Sequence, residues 1–231
     1  MFHALITGAN RGLGLEHARQ LLERGWHVTA AVRNPDAAAE LKALPQGEGK
    51  LDVVAYDAAD LGAAGKLARL VDGPIDLLFA NAGMMTPTTR QFGSAANEDM
   101  TLEFRVNSIA PLALAEAFAD RVAASDMKVI ALQSSRMGSI ADNGSGGAYG
   151  YRASKAALNA IGRSLSHDLK DRGIVVLILH PGWVRTDMGG PNGQLTVRES
   201  VEGQLDLIAR AYNQPAMSGR FFHVSGQDLP W

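Results

Sequence analysis

Tyr151 and Lys155 stand one helical turn apart in the run Tyr151-Arg152-Ala153-Ser154-Lys155. Residues at i and i+4 share a helix face, with Cβ atoms about 5–6 Å apart. An unperturbed tyrosine loses its proton near pH ~10. A neighbouring ammonium favours the phenolate and lowers that value. Such a tyrosine can exchange a proton with a substrate oxygen near neutral pH. Of Tyr56, Tyr149, Tyr151 and Tyr212, only Tyr151 has a lysine at i+4. Ser134-Ser135 closes a strand-like run, where a hydroxyl can hold a carbonyl beside Tyr151. Asn107 is an amide among Phe104, Val106, Ile109 and Leu112. Buried, it must be satisfied, and it could bind a water that relays protons through Lys155. Taken singly, each feature also fits a bland role: a surface helix pair, a turn serine, a solvent-facing amide.

A second constellation opens the chain. Thr7-Gly8-Ala9-Asn10-Arg11-Gly12-Leu13-Gly14 lies between a strand-like run and a helical pattern. Gly8 permits a tight turn, Gly12 lets backbone approach a pyrophosphate, and Gly14 allows close helix–strand packing. The helix start then offers free N–H groups and a partial positive charge to phosphates. The spacing is Gly-x-x-x-Gly-x-Gly, and strand–turn–helix context strengthens the dinucleotide reading. An NAD site needs an acid at the end of the second strand, to bond the ribose 2′-hydroxyl. Here that strand ends Ala31-Val32-Arg33-Asn34, without a carboxylate. Arg33, with Arg11 opposite, suits a 2′-phosphate, so NADP(H) is the expected cofactor. Asp57, after the third strand, is placed to accept from the adenine amino group. Asn81-Ala82-Gly83 closes the fourth strand, where Asn and Gly also favour ordinary turns.

These residues need elements to hold them. Apolar, branched runs predict strands at His3–Thr7, His27–Val32, Leu51–Ala55, Leu77–Ala80, Lys128–Gln133, Val175–His180 and Arg220–His223. Near-continuous apolar character implies strands covered on both faces. Helical patterns fall between them at Leu13–Arg24, Ala37–Leu44, Ala63–Leu70, Glu98–Ala119, Tyr151–Asp171 and Glu199–Ala211. Pro111 should kink or divide the fourth of these. The alternation predicts an α/β, doubly wound parallel sheet with helices on both faces. Met84–Asn97, Ser139–Gly147 and Asp187–Val197 read as loops at strand ends, where open α/β sheets place ligands.

Composition excludes other chemistries. The 231 residues are 46% hydrophobic and 20% charged, enough for a sizeable core. A net charge of −2 does not suit a nucleic-acid clamp or a polybasic membrane anchor. With no cysteine, disulfides, thiolate metal sites and cysteine nucleophiles are excluded. The six histidines show no metal-ligand spacing. No Gly-x-Ser-x-Gly elbow surrounds Ser135. No apolar run reaches the ~18 residues of a membrane span, and the first residues lack the pattern of a secretory signal. The cytoplasm is the expected location.

Taken together, these motifs resemble the short-chain dehydrogenase/reductase family, of the compact single-domain kind. The resemblance covers essentially the whole chain and rests on Gly8–Gly14, Asn81–Gly83, Asn107, Ser135, Tyr151–Lys155 and Pro181-Gly182, in order. The string from Ala148 to Asn159 and the ending from Ser218 to Trp231 are similar to the sniffer and C-factor branch, relatives of carbonyl reductases. The resemblance implies one NADP-binding Rossmann domain over 1–231, with a seven-stranded sheet ordered 3-2-1-4-5-6-7. It implies a catalytic tetrad of Asn107, Ser135, Tyr151 and Lys155. Tyr151 would be the acid in reduction, Ser135 would orient the carbonyl, Lys155 would also hold the nicotinamide ribose, and Asn107 would complete the relay. Pro181, Gly182, Val184 and Thr186 match the segment around the nicotinamide amide. The implied activity is NADPH-dependent interconversion of a small-molecule carbonyl and an alcohol. The implied assembly is a homodimer or homotetramer, paired through the two long helices, with no nucleic-acid or membrane partner. A cofactor sensor on the same scaffold is the competing reading. Two departures stand out. The Ser135–Tyr151 gap is a little longer than usual, the extra lying in Asn143–Gly147, which leaves Ser134 and Ser139 as rival partners. The segment after Thr186 is short, so an open site is expected, bordered by Trp183 and Met188.

Overall fold

The computed structural model describes residues 1–94 and 96–231. Ala95, inside the expected loop Met84–Asn97, lies outside the described residues. Strands β1 (His3–Thr7), β2 (His27–Val32), β3 (Lys50–Ala55), β4 (Leu77–Ala80), β5 (Val129–Gln133), β6 (Val175–His180) and β7 (Phe221–His223) form one sheet in the order β3-β2-β1-β4-β5-β6-β7. Every pairing in it is parallel. The helices are α1 (Gly12–Glu23), α2 (Ala39–Lys42), α3 (Ala63–Leu70), α4 (Asn97–Phe104), α5 (Ala110–Ala123), α6 (Tyr149–Asp168) and α7 (Val197–Asn213).

Side chains alternate across a strand, and the sheet uses both faces. Ile6, Val28, Phe79, Ala131 and Leu177 pack with Ala18, Leu21 and Leu22 of α1 and with Val201 and Leu205 of α7. Leu5, Leu78, Ile130 and Val176 face the other way, onto Leu67, Leu114, Phe118 and Leu158 of α3, α5 and α6. Phe118 is wholly buried there. Phe118→Ala should cost about 3–5 kcal/mol, read as a lower urea midpoint with an unchanged slope.

The expected long fourth helix is divided, but not at Pro111. The break is a wider π turn over Arg105–Ile109, and Pro111 sits in the first turn of α5. A proline has no N–H for the carbonyl four residues back. That carbonyl belongs to Asn107, so the disruption is felt one turn before the proline.

Since all strands run parallel, the C-terminal ends of β1, β4, β5 and β6 open on one edge. Gly8, Asn81, Ser134-Ser135 and Pro181 all lie there.

Candidate active site

The glycine turn between β1 and α1 shapes the start of the helix. Gly8 and Gly12 have positive φ (68° and 53°), a region glycine enters without steric cost. A Cβ on Gly14 would overlap the Gly8 carbonyl oxygen, so only glycine fits. Asn81 Nδ2 donates to the Thr7 and Gly8 carbonyls at 3.0 and 3.3 Å. The backbone N–H of Ala82 donates to Thr7 Oγ1 at 3.1 Å. Asn81 and Ala82 thus fasten β4 to the glycine turn. The helix start has no side-chain cap and no acid in its first turn. Its orphan N–H groups therefore remain open to a phosphate.

Arg33 and Asp57 end adjacent strands with exposed side chains. Asp57 accepts from the Ala59 N–H at 2.9 Å, an Asx turn. Asn10 is exposed and Leu13 half-buried on the same turn. The Arg11 guanidinium pairs with Asp187 at 3.0 Å, both well exposed. Asp187 follows Thr186, whose methyl would lie 3.8 Å from a Cβ on Gly12. The segment after β6 therefore folds against the glycine turn. It is tied internally by Trp183 Nε1 donating to Gly189 O at 2.7 Å and by the Val184–Leu195 bridge. Pro181 is held by Ser200 of α7, whose Oγ donates to its carbonyl at 2.6 Å. Gly182 and Val184 are buried, while Trp183 and Met188 are exposed.

Ser135, Tyr151, Lys155 and Asn107 are all buried around one corner of that edge. Ser135 Oγ accepts from the Met137 N–H at 3.2 Å, which leaves its own proton to donate. The rival serines are engaged: Ser134 Oγ bonds Asn159 Oδ1 at 2.5 Å, and Ser139 Oγ donates to Trp231 O at 3.2 Å. Lys155 Nζ donates to the Gln133 carbonyl at 2.7 Å and lies 5.8 Å from the Tyr151 ring centroid. A Cβ on Gly83 would lie 3.4 Å from both Lys155 Nζ and Asn107 Oδ1. Gly83 therefore marks where the two converge. Asn107 spends its amide on protein: Oδ1 accepts from Met84 N–H at 2.8 Å, and Nδ2 donates to Met84 O and Ser154 Oγ at 2.8 and 3.0 Å.

Helix α6 is seated closely. A Cβ on Gly138 would lie 2.8 Å from the Lys155 carbonyl carbon, and one on Gly162 2.7 Å from Ile178 Cγ1. Ala148, just before the helix, is left-handed at φ 46°. Asn159 Nδ2 donates to Gly138 O at 3.3 Å, so this amide also braces the serine loop.

Protonation differs from the expected pattern. Burial pushes the Tyr151 phenol above its ordinary value, Ser135 opposes that rise, and the Glu103 charge adds to it. Burial alone brings Lys155 down to about 7. Burial therefore works against the ammonium on which the spacing argument relies.

Among the described residues no group of histidines and acids could hold a metal, and no helix is long and apolar enough to cross a membrane. Glu103 and Asn159 take part in this corner but do not stand out in the sequence. Glu103 lies four residues before Asn107, which is the one signal that could have found it.

Residues 2–195 match the family described as short chain dehydrogenase. The chain is 43% identical to C-signal of Myxococcus xanthus over 159 residues, 69% of this chain and 94% of that protein. It resembles the NADPH-bound carbonyl reductase from chicken fatty liver, with TM-score 0.90 and 34% identity over 99% of this chain and 98% of that one. It resembles equally well the carbonyl reductase Sniffer of D. melanogaster, with TM-score 0.89 and 32% identity over the full length of both.

Proposed function

The chain belongs to the short-chain dehydrogenase family, in its sniffer and carbonyl reductase-like branch, and from that premise we propose that it reduces a small-molecule carbonyl to an alcohol with NADPH. The observation that carries this is the buried grouping of Tyr151, Ser135 and Lys155 at the strand edge that also holds the glycine cradle. Gly8, Gly12 and Gly14, with the open N–H groups of α1, hold the pyrophosphate. Arg33 and Arg11 take the 2′-phosphate, Asp57 the adenine, and Asn81, Ala82, Gly83, Pro181, Gly182, Val184 and Thr186 line the remainder. When bound, NADPH supplies the hydride.

The residues do the rest. Ser135 donates its free proton as a hydrogen bond to the carbonyl oxygen and fixes it. Tyr151 gives that oxygen its phenolic proton. A phenol held above its ordinary value stays protonated at neutral pH, which is the form reduction needs. Lys155, near 7, can return a proton to the phenol. Asn107 keeps Met84 and Ser154 in place around them. A pure cofactor sensor needs no such proton path, and that reading is not favoured. A homodimer or homotetramer would pair the outer faces of α5 and α6, beside which Ile109 remains exposed.

The test is NADPH absorbance loss over a panel of aldehydes, ketones and quinones. Turnover of at least one supports the assignment. Micromolar NADPH binding with no turnover across the panel would return the sensor. Arg33→Asp should weaken NADPH about tenfold or more and leave NADH little changed, measured by fluorescence titration of each cofactor.

A further inference from the structure

Glu103 is a wholly buried carboxylate that the proposed chemistry does not use. It forms no ion pair among the described residues. Instead Oε1 accepts from the Thr86 N–H at 2.5 Å, from Thr86 Oγ1 at 3.0 Å and from Thr89 Oγ1 at 3.2 Å; Oε2 lies 3.1 Å from Thr89 Oγ1. Neutral donors from the loop after β4 thus satisfy the charge. On its other side the carboxylate fills the space of a missing side chain. A Cβ on Gly150 would overlap Oε2. Gly150 is in the first turn of α6, next to Tyr151.

Asn107 repeats this arrangement one turn along. It holds Met84 of the same loop and reaches Ser154 of α6. Ser108 adds a bond from its Oγ to the Ser154 carbonyl at 2.6 Å. Glu103 and Asn107 are four residues apart, as are Gly150 and Ser154. The loop after β4 is thus held against α6 at two places, by packing of Glu103 on Gly150 and by the Asn107–Ser154 bond, and Tyr151 lies between them in sequence.

We propose that Glu103 is a positioning residue for Tyr151: its carboxylate holds the loop at Thr86 and Thr89 against the first turn of α6 at Gly150, and its negative charge reaches the phenol. This rests on the reading of Tyr151 as the acid. The groups facing Tyr151 are Lys155 from its own helix, Ser135 from the loop after β5 and Glu103 from α4. Of these, Glu103 is the one whose charge disfavours the phenolate. It therefore helps to keep the proton on Tyr151, the form that the reduction step uses.

The experiment is an ultraviolet titration of tyrosinate in the NADP⁺-loaded full chain. The Tyr151 step is assigned as the one missing from Tyr151→Phe. E103Q, nearly isosteric and uncharged, should lower the midpoint of that step by about one pH unit. In the same variant the KM for the carbonyl should rise several-fold while NADPH affinity holds, because the loop and not the cradle is loosened. If E103Q does not fold, Glu103→Asp keeps the charge but withdraws it from α6, and should give a smaller fall. An unmoved midpoint in a folded variant overturns the proposal. Full reductase activity in Tyr151→Phe would instead overturn the functional reading on which it rests.

Discussion

Tyr151→Phe should lower kcat for carbonyl reduction by about 10²–10⁴-fold, the range for loss of a positioned acid. NADPH affinity should change little. The substitution deletes one oxygen and leaves the ring, and α6 is held by other contacts: Ser154 to Asn107, Lys155 to Gln133 and Asn159 to Gly138. The glycine turn proposed to hold the phosphates lies between β1 and α1. Single-turnover rates with NADPH prebound separate the two effects. A drop in kcat with unchanged cofactor binding places the loss at the chemical step. A variant that keeps wild-type turnover would remove the acid from the scheme.

The second large effect is on acid stability. Burial lowers His3 to about 4, and His17 and His180 each to about 3. In the unfolded chain a histidine titrates near ~6.5. The folded values lie below this, so below pH ~6.5 the unfolded chain binds more protons. Stability is then fully present above pH ~6.5 and is lost as pH falls toward the folded values. His17 and His180 alone should give a slope of about 3 kcal/mol per pH unit in that window. His3 is shifted less and adds less. Total stability of domains is about 5–15 kcal/mol, so the protein should begin to unfold near pH ~5. Among the described residues neither ring nitrogen of His17 has a hydrogen-bond partner, and its ring packs edge-on against Phe79. His17→Leu should therefore remove one proton from the slope and make the chain more resistant to acid than the parent. Urea midpoints between about pH 5 and 7 check this. Parallel curves for the two proteins would mean that His17 does not carry the effect.

The sheet order could be read from the sequence because each strand is a short apolar run flanked by polar segments, with helices long enough for right-handed crossovers. Tyr151, Lys155, Ser135 and Gly8–Gly14 were legible because chain spacing sets their geometry on one helix, strand end or turn. Three features were not. Pro111 predicts a kink or division within Glu98–Ala119, but not that it takes the form of a π turn one turn before the proline. Glu103 sits in the polar stretch Asn97–Glu103, which reads as a solvated face; its partners are brought by the loop after β4 and by an absent side chain on α6. The proton affinities of Tyr151 and Lys155 depend on burial, and neither the pair's spacing nor its composition encodes that.

The close seating of α6 at Gly138 and Gly162 has a consequence for how this protein can diversify. At both positions even one added methyl meets neighbouring atoms under 3.0 Å away, so drift in that helix is selected against before any change in chemistry is sampled. In the segment from Trp183 to Leu195 the same constraint falls on Gly189 and Gly193, while the exposed Trp183 and Met188 side chains escape it. New substrate preferences should accumulate there while the proton-handling frame stays ancestral.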